Sequence, residues 1–152
     1  MYNYNEYFNL IEALVSKASG FNQAGCNFTC VIGLLRGGYL PAEAISRYLG
    51  IPLVIAKLSS YNDKVQGPIL LSDEIINKDL IKGNVLIVDD LIDSGNTLKF
   101  FVNHIKEHYN VDSVMTAVLW NKEVKRDIEP DFYSTLVPGY EWVVQPLEKY
   151  GD

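Results

Sequence analysis

The sequence predicts an α/β fold with a mainly parallel sheet, and three observations predict it. Short apolar runs of buried-strand character recur at Phe28 to Leu35, Leu53 to Leu58, Val85 to Val88 and Ser113 to Trp120. Segments with apolar residues at helical spacing stand between them, and such alternation builds a parallel sheet covered by helices. Polar, glycine-bearing stretches follow the strands, where open α/β sheets bind their ligands.

Tyr4 to Ser19 carries Tyr7, Phe8, Ile11, Leu14, Val15 and Ala18 on one helical face, and Gly20 is the expected stop. Phe28 to Leu35 reads as a buried strand running into the glycine turn Arg36-Gly37-Gly38. Pro41 to Leu49 is a helix, with Pro41 in its first turn and Gly50 at its end. Leu53 to Leu58 is the second strand. Ser59 to Lys82 is polar and broken by Gly67 and Pro68, so it reads as a long loop of the lid or binding type, with room for a short hairpin or helix. Val85 to Val88, between Gly83 and Asp89-Asp90, is the strongest buried-strand signal. Thr97 to Tyr109 is a helix with Leu98, Phe101, Val102 and Ile105 on one face, and Ser113 to Trp120 is a further strand. Phe132 to Val137 and Glu141 to Val144 are shorter apolar runs. One domain over residues 1–152 is the natural division at this length.

Thirteen Lys and Arg stand against 19 Asp and Glu, a net charge of −6. That balance excludes a nucleic-acid or anionic-membrane partner in expectation, because such binders need a basic face to release counterions. A phosphorylated ligand would depend on local donors, backbone amides and metal ions. Cys26 and Cys30 read as small buried hydrophobes rather than zinc ligands, which fits a reducing cytoplasm. Met1 to Leu10 lacks a basic start and an apolar stretch, so no signal peptide is expected, and no apolar run reaches the ~18 residues of a membrane span.

The chemistry concentrates in Asp89-Asp90-Leu91-Ile92-Asp93-Ser94-Gly95-Asn96-Thr97. Adjacent carboxylates at a strand end are costly to bury and call for hydroxyl or metal partners. The turn that follows opens a helix, and its amides, with the Ser94 and Thr97 hydroxyls, form a cradle for a phosphate. A sugar phosphate suits both: diol on the carboxylates, phosphate in the turn. Asp89-Asp90-x-x-Asp93 also matches the DDxxD of terpene synthases, but those are all-helical. A phosphoacceptor receiver would spread its acidic residues over several strands, and a plain N-capped acidic turn leaves the carboxylate pair unexplained.

Val85 to Leu98 resembles the phosphoribosyl pyrophosphate (PRPP) signature of type I phosphoribosyltransferases, with Asn96 standing where relatives often have Gly or Lys. Leu34-Leu35-Arg36-Gly37-Gly38 is similar to the pyrophosphate loop of that family, and Ser59-Ser60-Tyr61 to the opening of its lid in the 6-oxopurine branch. The resemblance runs from about Val31 to Glu148. It implies a central sheet flanked by helices with a small C-terminal hood. It implies transfer of ribose 5-phosphate from PRPP to N9 of guanine, xanthine or hypoxanthine with release of pyrophosphate, Mg²⁺ as cofactor, and a homodimer or homotetramer. It implies PRPP contacts from Arg36, Gly37, Asp89, Asp90, Asp93, Ser94, Gly95, Asn96 and Thr97. Metal would be held by Asp89 and Asp90, directly or through water, with Glu148 a further candidate. It places Asp93 at N7 of the base and Lys122 at the 6-oxo group. Trp142 would stack on the purine, and the main chain of Val143 would meet the base edge. Asp93, Asp89 and Asp90 are thus the expected catalytic set. A PRPP- or nucleotide-sensing regulator on the same fold, or an enzyme for another base, would share the phosphate cradle. The spacing His104-x-x-Glu107-His108 imitates a zinc-peptidase motif, but a solvated helix face accounts for it.

Overall fold

The computed structural model describes residues 1–58 and 74–151. Its centre is a six-stranded sheet built from β1 (Cys30–Leu35), β2 (Leu53–Lys57), β3 (Ile75–Ile76), β4 (Gly83–Ile92), β5 (Val111–Glu123) and β6 (Phe132–Pro138), in the order β3-β2-β1-β4-β5-β6. All pairings are parallel except that of β3, which lies antiparallel on the β2 edge. Helices α1 (Tyr4–Phe21) and α2 (Tyr39–Leu49) cover one face, and α3 (Asn96–His108) covers the other.

Alternation along the central strands decides which side chain meets which helix. Val31, Leu86, Val88, Ala117 and Leu119 pack toward α1 and α2 with Tyr7, Ile11, Leu14, Ala42 and Ile45. Their neighbours Ile32, Leu34, Val85, Ile87 and Val118 pack toward α3 with Leu98, Phe101 and Ile105. Burial on both faces explains why these strands read as continuous apolar runs.

Helix α1 begins at a capping box: Glu6 N donates to Asn3 Oδ1 at 2.8 Å, and Asn3 N donates to Glu6 Oε1 at 3.0 Å. Its buried stripe is Tyr7, Ile11, Leu14 and Ala18, while Phe8 is half exposed. Gly20 does not end the helix. α1 runs to Phe21, a π-turn continues to Cys26, and the chain reverses where Gly25 (φ 118°) and Asn27 (φ 46°) take left-handed backbone angles. Cys26 rests its Sγ 3.5 Å from Met115 Sδ, and burial pushes the Cys30 thiol up.

Two strands outrun their expected ends. β4 continues through Asp89 to Ile92, because β5 extends beside it with Asp89 opposite Val118 and Ile92 opposite Asn121. The acidic pair therefore lies within the strand. β5 likewise reaches Glu123, with Lys122 opposite Val137 of β6, so Lys122 sits on the strand. Glu141 to Val144 forms no strand. That segment leads into a 3₁₀ turn at Pro146–Tyr150 and folds back as the small hood, where Tyr2 N donates to Val144 O at 3.0 Å and the Lys149 ammonium lies over the Tyr4 ring. Among the described residues no helix is long and apolar enough to cross a membrane.

Candidate active site

The order in which strands are added reverses between the parallel neighbours β1 and β4. β1 leads through α2 to β2 on one side, and β4 leads through α3 to β5 on the other. Open sheets part at such a switch point, beyond the carboxyl ends of the strands, and leave a crevice. Here the β1–α2 loop, the end of β4 and the hood meet in a cleft of about 560 Å³. Tyr7, Arg36, Gly37, Asp90, Gln145 and Glu148 stand in its wall.

Gly37 is required by contact. A Cβ at this position would stand 1.9 Å from Asp90 Oδ2 and 2.7 Å from Asp90 Cβ, so backbone and carboxylate touch directly. Arg36, exposed and next to it, projects its charge at the cleft; the Leu35–Arg36 peptide is cis. Asp90 Oδ2 accepts a hydrogen bond from Gln145 Nε2 at 2.7 Å, which ties the hood to the sheet. Gln145 in turn is held by Glu148, whose carboxylate accepts from the Gln145 amide. Tyr7, buried in the wall, has its phenol pushed up to about 12, first by burial and then by the Asp90 charge.

Asp89 lines a second, smaller hollow of about 180 Å³ formed by Asp89 and Leu91 to Leu98. Successive strand residues face opposite ways, so the adjacent carboxylates serve different hollows. Burial raises the Asp89 carboxyl well above the usual carboxylate range, and the Asp90 charge adds to it. Asp89 Oδ1 accepts from the Asp90 amide at 2.8 Å. The rest of this hollow is the turn at Asp93 to Thr97. Gly95 takes φ 84° at the N-cap of α3, and a Cβ there would lie 2.6 Å from Ile128 Cγ2. Asn96 is already helical, so its departure from the familiar pattern asks nothing unusual of the backbone. Asn96 N donates to Ser94 Oγ at 3.3 Å, and Gly95 caps the helix without a side chain, so the hollow borders a helix N-terminus, the kind of position that suits an anion.

Asp93, on the wall of the smaller hollow, and Lys122, buried beside it and lining neither hollow, come together from 29 positions apart: Lys122 Nζ lies 3.3 Å from Asp93 Oδ2. The lysine side chain is 10% exposed and the aspartate 55%. Lys122 is thus a nearly buried cation aimed at a half-open carboxylate, a pair suited to a polar planar ligand that needs one donor and one acceptor. Trp142 is 80% exposed and lines neither hollow, while Val143 is half-buried against the core on the α1 side. Ser59, Ser60 and Tyr61 lie outside the described residues. His104 and His108 stack at 4.3 Å, and His104 also packs on Phe101 and Tyr109, so that helix face is partly covered.

The sequence does not single out Gln145, Tyr7 or Arg126, whose guanidinium donates to the main-chain oxygens of Asp93 and Lys122. Tyr7 belongs to an ordinary amphipathic stripe, Gln145 lies in the stretch up to Glu148 that carries the family resemblance but has no role assigned there, and Arg126 carries no local motif. Among the described residues no three His, Cys, Asp or Glu side chains cluster tightly enough to hold a metal by themselves. Asp89, Asp90 and Glu148 nevertheless offer only hard oxygen donors, and the Asp89 carboxyl, raised first by burial and then by the Asp90 charge, is one that a nearby cation would stabilise in its ionised form.

Comparison with known proteins bears on the family and the fold. The chain is 30% identical over 130 residues to the hypoxanthine-guanine phosphoribosyltransferase of Canis lupus familiaris, covering 76% of this chain and 59% of that protein. It is 38% identical over 71 residues to the xanthine-guanine phosphoribosyltransferase of Idiomarina loihiensis, covering 46% of this chain and 44% of that one. The chain thus spans about half the length of these relatives. A crystal structure of a hypoxanthine-guanine phosphoribosyltransferase from Bacillus anthracis superposes with a TM-score of 0.70 at 25% identity, over 85% of this chain and 79% of that chain. The phosphoribosyl transferase domain model matches residues 3–149, and the chain belongs to that family.

Proposed function

We propose that the protein transfers the 5-phosphoribosyl group of PRPP to N9 of a 6-oxopurine and releases pyrophosphate. The observation that carries this reading is the Lys122–Asp93 pair at 3.3 Å beside the α3 turn. A lysine donor meets a 6-oxo group, and a carboxylate meets the N7 proton of the same ring. The two relatives described above bear names of 6-oxopurine enzymes, which supports the choice.

In this reading the amides and hydroxyls of Ser94 to Thr97 hold the 5-phosphate. Asp89 and Asp90 accept from the ribose hydroxyls. Arg36 and the main chain at Gly37 face the pyrophosphate and stabilise charge as it leaves. The C1–O bond loosens ahead of attack, giving an oxocarbenium-like transition state. Asp93 holds or accepts the N7 proton as N9 attacks. Lys122 rejects a 6-amino group, because two facing donors leave buried polar atoms unpaired. Trp142 stacks on the base and Val143 meets its edge through the main chain. Mg²⁺ would be held mainly by water and substrate oxygens, with Asp90 and Glu148 on the cleft wall and Asp89 from the neighbouring hollow reaching it through water, and would neutralise pyrophosphate charge.

The test is nucleotide formation from PRPP and Mg²⁺ with guanine, xanthine, hypoxanthine, adenine, orotate and uracil in parallel. Turnover confined to the 6-oxopurines is expected. Turnover with adenine, orotate or uracil instead would remove Asp93 and Lys122 from their roles. PRPP binding without turnover of any base would make the protein a sensor on the same fold.

A further inference from the structure

Arg126 stands on the connection from β5 to β6 with its side chain 2% exposed. A buried guanidinium costs several kcal/mol of desolvation unless its donors are matched. Here its three nitrogens all find acceptors. Nε donates to Ile128 O at 3.0 Å, and Nη2 to Glu129 Oε1 at 2.9 Å and to Asn121 Oδ1. Nη1 donates to Lys122 O at 2.6 Å and to Asp93 O at 3.2 Å. One nitrogen thus bridges the main chains of the two residues whose side chains pair beside the smaller hollow. Beneath the same turn, a Cβ on Gly95 would stand 3.4 Å from Arg126 Cδ.

We propose that Arg126 is a positioning residue that sets the separation of Asp93 and Lys122, and through it the recognition of the base. The inference rests on the reading of those two residues as base-facing groups. A planar fork with fixed donor directions suits the task, since it binds the end of β5 to the α3 turn just beyond the last β4–β5 pair, Ile92 with Asn121. A lysine ammonium could reach one carbonyl but could not reproduce the fork.

The experiment compares wild type with Arg126→Met and Arg126→Lys. It measures KM and kcat for base and for PRPP, oxopurine-to-adenine discrimination, and affinity for inosine 5′-monophosphate. In Arg126→Met, kcat/KM for the base is expected to fall roughly 100-fold, the scale of a 1 Å misplacement, while KM for PRPP stays within about 3-fold. Discrimination against adenine should relax with it, and Arg126→Lys should recover about tenfold. Loss of structure alone would lower the active fraction and leave the KM for base unchanged. A base KM within about 2-fold of wild type, or equal changes for base and PRPP, would overturn the proposal. If Arg126→Met fails to unfold cooperatively, Asn121→Ala removes one acceptor of the fork and should raise the base KM alone by about 3-fold; no such split overturns the proposal. Should wild type use a different base, the 6-oxopurine reading falls, and the KM for that base still tests Arg126. Should it use none, the nucleotide affinity ratio decides, and equal affinities overturn the proposal.

Discussion

Replacing Asp93 by Asn removes one charge and keeps the shape of the side chain. Arg126 grips the Asp93 main-chain carbonyl, so the turn should hold its course. Lys122 Nζ loses a carboxylate 3.3 Å away, an attraction of about 5 kcal/mol at an effective dielectric near 20. Because the Asp93 side chain is 55% exposed, water screens that attraction, and the stability change should be nearer 1 kcal/mol. On the proposed function Asp93 is also the acceptor at N7, and its loss there is the larger matter. Proton-transfer catalysis contributes about 10²- to 10⁴-fold, which is about 2.7–5.5 kcal/mol of barrier. Turnover should therefore collapse in a protein that remains folded. The assay is initial nucleotide formation at saturating PRPP and hypoxanthine, with thermal unfolding and PRPP calorimetry on the same samples. Turnover within about fivefold of wild type, with an unchanged PRPP affinity, would refute the reasoning.

Lys122→Met keeps the length of the stem and removes the donor. Hypoxanthine kcat/KM should fall roughly 10- to 150-fold, the worth of a charge-assisted hydrogen bond, while adenine is rejected less; competition kinetics with both bases decide it. Gly37→Ala would push a methyl to 1.9 Å from Asp90 Oδ2 and break the bond to Gln145. It should cost about 1–3 kcal/mol of stability and at least about tenfold in PRPP affinity, read by thermal unfolding and calorimetry. Tyr7 gives a pH signature. Its phenol is raised from about 10 to about 12, so its contribution is complete below pH 10 and is lost as pH rises through 12. The loss is at most about 2.7 kcal/mol, less because the group borders the open cleft. Denaturant unfolding at pH 9 and 11.5 should show a smaller alkaline loss in Tyr7→Phe; equal losses would show that Tyr7 does not titrate in this way.

The α/β class, the helices, the main strands and the turn that opens α3 were legible in the sequence, because each depends on neighbours within a few positions. Apolar runs report burial on both faces, and Ser94-Gly95-Asn96-Thr97 reports a turn that opens a helix. Element ends were legible only in part. β4 and β5 each continue past their apolar runs, since their length depends on the partner strand rather than on the side chains within them. α1 passes through Gly20, since a glycine that keeps helical angles does not stop a helix.

Asp89, Asp90, Asp93 and Lys122 could be singled out by type and order, but their arrangement could not. Only the tertiary structure decided that Asp89 and Asp90 line different hollows, that Gly37 touches Asp90, and that Gln145 closes on it from 55 positions away. Only it brought Arg126 under both Asp93 and Lys122. The reason is physical. Periodicity and turn chemistry act along the chain, whereas a hydrogen bond between distant residues exists only after strand order and register have placed their ends together.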